Sequence, residues 1–278
     1  MAPLTIVANK TAMSEAAAER IATLVETAVS ARGLAAVSLT GGGTPDLLYQ
    51  FLADRNRPWR DRIDWGHVHL FWGDEREVPP DHQESNFALA NRLLIQHVPV
   101  PATQIHRMRG ELPASDAGRL YDALLRARRD QIAGPLFDVM LLGIGANAHI
   151  ASIFPNSPLL VRGPEGSAPR TSEESGAPRT SEESGADLSG PREPLATGVY
   201  VADISQWRIT ITPPALLDSA AIIVIANGSS KADAVSAALE GALDVAHCPA
   251  QLLRAAGDRV EWIIDSAASA RLRGAPPA

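Results

Sequence analysis

Cysteine is nearly absent from this chain, because Cys248 is the only one among 278 residues. A single thiol excludes an internal disulfide and a metal cage built from cysteines alone, and it is typical of proteins in a reducing compartment. We expect Cys248 to be a small buried apolar residue, which is the common role of a free cysteine.

Long apolar runs are also missing. No stretch of about 18 consecutive apolar residues occurs, so the sequence predicts no transmembrane helix. The opening segment MAPLTIVANK lacks the basic region and the apolar stretch of a secretory signal peptide. We therefore expect a cytoplasmic protein.

Positive charge is in deficit. The chain has 25 Lys and Arg against 32 Asp and Glu, with a net charge of −7 and a pI of about 5.5. This balance predicts no nucleic-acid partner and no general attraction to anionic membranes. An anionic ligand must therefore be bound by a local arrangement of donors and cations.

Short β-rich segments alternate with longer segments of helical periodicity. Strands are predicted at 4–8, 35–39, 67–72, 137–142 and 221–226, and helices at about 45–54, 85–97, 116–131 and 230–240. A further helix is predicted between the first two strands, with Ser14 as its N-cap. The alternation predicts an α/β, Rossmann-like fold with a mostly parallel central sheet flanked by helices on both faces.

One segment departs from this alternation. The nonapeptide APRTSEESG at 168–176 is followed by an identical copy at 177–185. The stretch from about 163 to 194 is rich in Gly, Pro, Ser and Glu and has little to bury, so we interpret it as a flexible surface insertion.

A glycine-rich turn follows the strand at 35–39. It places Gly41, Gly42 and Gly43 before Thr44, with Pro45 at a predicted first helical position. Such a connection directs free backbone N–H groups at an anion, and phosphate suits it. No lysine follows at Walker spacing, so the turn is not a nucleotide P-loop. A tight turn without a ligand is the alternative interpretation.

Charged residues follow the strand at 67–72. Asp74, Glu75, Arg76 and Glu77 come at the carboxyl edge of the sheet, where open α/β folds bind ligands. Arg76 is a candidate for holding an oxyanion or a phosphate. Glu75 and Glu77 are interpreted as a solvated charged turn.

A second glycine-rich turn follows the strand at 137–142 and presents Asn147 and His149. An imidazole is well suited to accept a proton from water near neutral pH, so His149 is a candidate general base. The alternative is a loop histidine with a structural role.

Two cations come from the segment 207–235. Arg208 opens a β-like run, and Lys231 follows a turn at the start of a predicted helix. A lysine beside free N–H groups can neutralise a phosphate, whereas the alternative is a surface lysine without a ligand.

No metal or organic cofactor is predicted. His67 and His69 share a strand face, but the spacing suggests no third ligand. Gly143, Gly145 and Ala148 form the pattern GxGxxA, which is found in dinucleotide-binding turns. The acidic residue expected about 20 positions later would fall in the insertion, which argues against that interpretation.

Together and in this order, the four segments resemble the 6-phosphogluconolactonase family, whose fold is similar to that of glucosamine-6-phosphate deaminases and ribose-5-phosphate isomerases. The resemblance covers most of the chain and implies a single domain over residues 1–278 that contains the insertion. It implies hydrolysis of the phosphosugar lactone 6-phospho-D-glucono-1,5-lactone in the pentose phosphate pathway. No cofactor is implied, and the enzyme is expected to be a monomer or a small homo-oligomer.

The resemblance also implies roles for individual residues. The family's GDER corresponds to residues 73–76, its RITLTPP to 208–214, and its catalytic histidine and phosphate lysine to His149 and Lys231. The implied catalytic residues are His149, Asn147, Arg76 and Asp74. The implied substrate and phosphate ligands are Gly41, Gly42, Gly43, Thr44, Arg208 and Lys231.

Two departures bear on the chemistry. The family usually has Asp-Gly before the catalytic histidine, where this chain has Asn147 and Ala148. Losing the carboxylate is expected to leave His149 neutral at lower pH. The deaminase relatives carry a glutamate where this chain has Phe154, which favours lactone hydrolysis. A deaminase or isomerase activity on glucosamine 6-phosphate and a catalytically impaired sugar-phosphate sensor remain the alternatives.

Overall fold

Strands and helices alternate along the chain in the computed structural model, which describes residues 2–160 and 193–273. The strands are β1 (Leu4–Val7), β2 (Ala35–Leu39), β3 (Val68–Trp72), β4 (Asp74–Arg76), β5 (Phe137–Gly143), β6 (Ala196–Val201), β7 (Gln206–Ile211), β8 (Ser219–Ala226) and β9 (Val260–Asp265). The α-helices are α1 (Lys10–Arg32), α2 (Asp46–Ala53), α3 (Pro58–Arg62), α4 (Asn86–Leu93), α5 (Ala114–Gln131), α6 (Pro213–Leu217) and α7 (Ala232–Glu240). The duplicated nonapeptide of the predicted insertion lies outside the described residues.

Six strands form a parallel sheet in the order β1-β9-β8-β5-β2-β3. From β2 the chain moves outward to β3, whereas from β5 it moves outward in the other direction to β8 and β9. The strand order therefore reverses between β2 and β5. Open α/β sheets bind ligands above the carboxyl ends of the strands at such a switch point.

Both faces of the parallel sheet are buried. In β5, Val139 and Leu141 belong to one hydrophobic cluster, whereas Met140 and Leu142 belong to the other. Helices α1 to α4 contribute to the first cluster, and α5 to α7 contribute to the second. The predicted α/β fold with helices on both faces is confirmed, and two-sided burial explains why β5 is apolar throughout.

A second, antiparallel sheet in the order β4-β7-β6 was not predicted. Gly73 connects the two sheets, since its N–H donates to the Leu39 carbonyl at 3.0 Å and its carbonyl accepts from the Ile211 N–H at 2.9 Å. The segment after β3, interpreted from sequence as a turn, thus continues as a short strand. Its three charged residues gave no apolar alternation from which to predict it.

Helix α1 begins four residues before the predicted N-cap. The side-chain oxygen of Asn9 accepts from the Ala12 N–H at 3.1 Å, so Asn9 is the N-cap and the prediction of Ser14 was wrong. Ser14 lies inside the helix and is fully buried. Gly33 ends the helix with a φ of +77°, a conformation that favours glycine.

The histidines of the 67–72 segment do not share a site. The His67 ring lies 2.8 Å from the Asp64 carboxylate, whereas Nδ1 of His69 lies 3.0 Å from Nε2 of His106. The His106 ring also stacks on Phe71, with 4.5 Å between ring centroids. Burial, with smaller contributions from His69 and Arg128, lowers the pKa of His106 to about 4.

Three further observations concern metal sites, membrane helices and Cys248. Within residues 2–160 and 193–273, no group of three or more His, Cys, Asp or Glu side chains could hold a metal ion. No helix of the described chain combines the length and apolarity needed to cross a membrane. Cys248 is a buried free cysteine, as predicted.

The His69–His106 pair should make the folded state sensitive to acid. An unfolded histidine has a pKa of about 6.5, so between about pH 4 and 6.5 the unfolded chain binds more protons than the folded one. The neutral His106 therefore contributes its full stabilisation to the folded state above pH 6.5, and this contribution is lost as the pH falls towards 4. Between pH 7 and pH 5, the free energy of unfolding of His106→Gln should fall by about 1 kcal/mol less than that of the wild-type chain. Urea unfolding at the two pH values measures the difference.

The exposed His97 provides a matched control, since His97→Gln removes an imidazole without affecting this pair. Its unfolding free energy should follow the wild-type pH dependence. An identical pH slope for His106→Gln and the wild-type chain would contradict the prediction.

Candidate active site

Four loops meet above the carboxyl ends of β8, β5, β2 and β3 and enclose a cleft of about 170 Å³. The predicted site residues that line it are Gly41, Gly42, Gly43, Thr44, Asp74, Arg76, His149 and Lys231. Asn147 and Arg208 lie outside the lining but act on it, as described below. A larger cavity of about 430 Å³ near β1 and β9 is mainly apolar and contains none of the predicted site residues.

The glycine turn after β2 is shaped by close packing. Gly42 has a φ of +80°, which favours glycine. Gly41 faces Asn86, and a Cβ atom at Gly41 would lie 1.7 Å from the Asn86 side-chain oxygen. Asn86 gives no signal in the sequence, because its contact with Gly41 joins two segments that are distant in the chain.

Both ends of the glycine turn are held by side chains. The Tyr49 hydroxyl donates to the Thr40 carbonyl at 2.6 Å and accepts from the Thr40 N–H at 3.0 Å. The Lys10 ammonium donates to the Gly43 carbonyl at 2.7 Å and lies 2.5 Å from the Asp46 carboxylate. Lys10 therefore braces the turn and offsets a negative charge beside it, a role that the sequence analysis also missed.

Asp74 joins three segments of the chain beside the cleft. Its side chain is only 8% exposed and accepts hydrogen bonds from the Asn86 amide at 3.0 Å and the Ser152 hydroxyl at 2.7 Å. The same Asn86 amide donates to the Asp74 carbonyl at 2.9 Å. A buried carboxylate needs such partners, so these bonds fix the loops after β3 and β5 relative to each other.

The interpretation of Glu75 as part of a solvated turn was wrong. Glu75 is only 2% exposed, and burial raises its pKa. Its carboxylate accepts at the start of α4 from the N–H groups of Asn86 and Phe87 and from the Ser85 hydroxyl, and it also accepts from the Arg76 N–H in β4. It therefore caps a helix, because unpaired N–H groups there favour a carboxylate. Glu77 is exposed, and it accepts from the Ala114 N–H at 2.9 Å, at the start of α5.

Two arginines lie side by side at the edge of the cleft. Arg76 and Arg208 are opposite each other in the β4–β7 ladder. Arg76 donates to the Glu84 carbonyl, and Arg208 donates to the Trp207 carbonyl at 3.1 Å. Burial and the neighbouring Arg76 charge lower the pKa of Arg208. An anion bound here would relieve the repulsion between two guanidinium groups.

The loop after β5 orients the ring of His149. Nδ1 of His149 lies 2.6 Å from the side-chain oxygen of Asn147. An amide oxygen only accepts, so this assignment of the Asn147 amide places the proton on Nδ1 and leaves the lone pair on Nε2. Gly145 makes room for the ring, since a Cβ there would lie 2.1 Å from Nδ1. The Phe154 ring covers one face of His149.

His149 is a neutral base in this environment. Burial is the largest cause that lowers its pKa, to about 4, and the charges of Lys231, Arg208 and Arg76 act in the same direction. The Asp74 carboxylate opposes them. The loss of an aspartate at position 147 predicts a neutral His149, and burial and nearby cations act in the same direction.

Lys231 enters the cleft from the turn after β8. The turn is held by Asp265, whose carboxylate oxygens accept from the Gly228 N–H at 3.0 and 3.1 Å. Burial lowers the pKa of Lys231. Across residues 2–160 and 193–273 its ammonium has no hydrogen-bond or ion-pair partner, which leaves it available to an anionic ligand. Asp265 is a further residue that the sequence analysis missed.

The dinucleotide interpretation of Gly143, Gly145 and Ala148 does not fit the fold. Such a motif needs a helix whose N-terminus receives the pyrophosphate. In the described part of the chain, residues 144–157 form turns and an isolated bridge but no α-helix.

A parallel α/β sheet that presents a glycine turn, cations and a neutral imidazole at one edge defines a protein that can hold an anionic ligand beside a base. The model of the family described as glucosamine-6-phosphate isomerases/6-phosphogluconolactonase matches residues 8–182 and 185–262. The chain belongs to this family.

Similar proteins cover nearly the whole chain. The 6-phosphogluconolactonase of Mycobacterium tuberculosis is 35% identical over 266 residues, which cover 92% of this chain and 93% of that protein. The 6-phosphogluconolactonase of Streptomyces coelicolor is 32% identical over 272 residues, covering 95% and 92%. The solved structure of the 6-phosphogluconolactonase from Trypanosoma brucei has a TM-score of 0.74 at 22% identity and covers 98% of this chain and 99% of that one, which supports the fold.

The contact between Gly41 and Asn86 predicts that position 41 tolerates no side chain. We expect Gly41→Ala to destabilise the protein by about 2 kcal/mol, because the new Cβ forces Asn86 away from Asp74. Thermal unfolding measures this as a midpoint lower by several degrees. Gly43→Ala is the matched control, since a Cβ at Gly43 meets nothing within 4 Å and should change the midpoint little. Equal midpoints for the two variants would refute the packing argument.

Proposed function

We propose that this chain hydrolyses 6-phospho-D-glucono-1,5-lactone to 6-phospho-D-gluconate. One observation carries the proposal: the neutral imidazole of His149 lines the same cleft as the ammonium of Lys231. The names of the mycobacterial and streptomycete relatives support the choice of substrate. We also propose that the enzyme is cytoplasmic and that it is a monomer or a small homo-oligomer.

His149 acts as the general base. Its Nε2 takes a proton from water while the water oxygen bonds to the lactone carbonyl carbon, C1. The resulting imidazolium keeps its Nδ1–H bond to Asn147 and is favoured by the Asp74 charge. When the bond between C1 and the ring oxygen breaks, the imidazolium returns the proton to that oxygen. The lactone is an activated ester and the base is internal, so the proposed reaction includes no metal or organic cofactor.

The cations and the glycine turn bind the two anionic groups of the reaction, which are the 6-phosphate and the oxyanion. Gly42, Gly43, Thr44, Arg208 and Lys231 hold the 6-phosphate. A bound phosphate offsets the cations that now disfavour imidazolium, so it raises the pKa of His149 when substrate is present.

The second charge develops on the carbonyl oxygen in the tetrahedral intermediate. Arg76 and N–H groups of the glycine turn, including that of Gly41, stabilise this oxyanion. A well-placed donor of this kind is often worth about 3 kcal/mol. Asp74 positions the loops that carry these donors through its bonds to Asn86 and Ser152.

Removing the imidazole should abolish most of the catalysis. We expect His149→Ala to lower kcat for the lactone by about 10²- to 10⁴-fold, the usual contribution of general-base catalysis. The assay uses freshly generated lactone and subtracts spontaneous hydrolysis. His247→Ala removes an exposed imidazole outside the cleft and should keep the wild-type rate. A full lactonase rate in His149→Ala would exclude His149 as the base.

Two further measurements address the alternative activities. Ammonia release from glucosamine 6-phosphate by the wild-type chain would identify a deaminase, and tight binding of the phosphosugar without turnover would identify a sensor.

Removing the cleft ammonium should weaken substrate binding more than turnover. We expect Lys231→Ala to raise KM about 10- to 100-fold with a smaller change in kcat, because one charge-assisted contact to the phosphate is lost. Steady-state kinetics measure both constants. Arg271→Ala removes an exposed cation near α7 and should leave KM unchanged. An unchanged KM in Lys231→Ala would remove Lys231 from the phosphate site.

A further inference from the structure

The loop after β5 reverses direction directly after His149. Ile150 and Ile153 form an antiparallel bridge, and the Ile153 N–H donates to the Ile150 carbonyl at 2.9 Å. Both isoleucine side chains are fully buried, and Ala151 between them has a φ of +47°. This buried reverse turn returns the chain over the imidazole and places Phe154 against it.

The contact between the two rings is a face-to-face stack. The centroids of His149 and Phe154 are 4.0 Å apart, and the ring planes differ by 12°. Asn147 holds the Nδ1 edge of the same imidazole at 2.6 Å, and Gly145 lies close beside that edge. A rotation of the imidazole out of its plane would strike the phenyl ring. The stack therefore restricts this rotation of the imidazole ring, which the hydrogen bond to Asn147 leaves partly free.

The groups that face His149 from other elements are charged or polar. Asp74 and Arg76 come from β4, Arg208 comes from β7, and Lys231 comes from the turn before α7. The Phe154 ring occupies one face of the imidazole and keeps water from it.

We propose that Phe154 is a positioning residue of the active site: its ring fixes the plane of the His149 imidazole and thereby the direction of the Nε2 lone pair. Phe154 does not line the cleft and does not touch the reacting atoms. It acts through His149 alone. The catalytic consequence rests on the proposed function, whereas the effect on the imidazole itself can be measured without any substrate.

A correctly aimed base contributes to turnover rather than to substrate binding. In Phe154→Leu, which keeps an apolar side chain but removes the flat face, we expect kcat to fall about 10-fold while KM changes less than about 3-fold. The freed face should gain water, so the titration midpoint of His149 should rise from about 4 towards the ordinary value. The acid limb of the kcat/KM profile, which reports the free enzyme, should move to higher pH with it.

The titration is followed by NMR on protein with isotope-labelled histidine, and the His149 signal is assigned by its loss in His149→Ala. Phe154→Tyr preserves the stack and should restore both kcat and the midpoint. Phe51→Leu is the matched control, because Phe51 stacks on Trp59, away from the cleft, and should change neither quantity. Circular dichroism verifies folding, and Phe154→Met, a flexible apolar replacement, serves if Phe154→Leu does not fold.

A Phe154→Leu or Phe154→Met protein with the wild-type midpoint and kcat would overturn the inference. A fall in kcat without a shift of the midpoint, not restored by Phe154→Tyr, would also overturn it and indicate a general structural role. If the wild-type chain has no lactonase activity but the midpoint still shifts in Phe154→Leu, the proposed function fails while the effect of Phe154 on the imidazole stands.

Discussion

The buried carboxylate of Asp74 is the interaction on which the geometry of the cleft depends. It follows Gly73, the residue that hydrogen-bonds to both sheets, and it accepts from Asn86 of α4 and Ser152 of the His149 loop. A carboxylate that is 8% exposed cannot be left without partners, so these bonds hold three separate segments together. The positions of the glycine turn, Arg76 and His149 all follow from that junction.

The electrostatics of the cleft differ from those of the whole chain. The protein carries a net charge of −7, yet three cations surround His149 and oppose its protonation. Such an arrangement is costly without an anion, and it becomes favourable when a phosphate or an oxyanion occupies the cleft. The base is neutral before the ligand binds and becomes easier to protonate once the ligand's charge is present, which suits a proton transfer coupled to binding.

Several residues that support the cleft from behind its lining were not predicted, for a common reason. These residues act through contacts with segments that lie far from them in the sequence or beyond a reverse turn; they are Asn86, Lys10, Asp265 and Phe154. A polar side chain in a helix or a loop gives no periodic signal that distinguishes a buried partner from a solvated one. Glu75 shows the same limit in reverse, because a run of charges usually indicates exposure and here includes a buried helix cap.

The sequence by itself determined the class of fold and the position of the candidate site. Apolar strands that alternate with helices predict a parallel sheet, and the carboxyl ends of parallel strands lie on one edge, so the residues after β2, β3, β5 and β8 had to meet there. Tertiary structure alone decided that burial and nearby cations act on His149, that its Nδ1 faces the Asn147 oxygen and that Phe154 covers its ring. Those properties depend on burial and on distances between side chains, which no spacing along a single chain encodes.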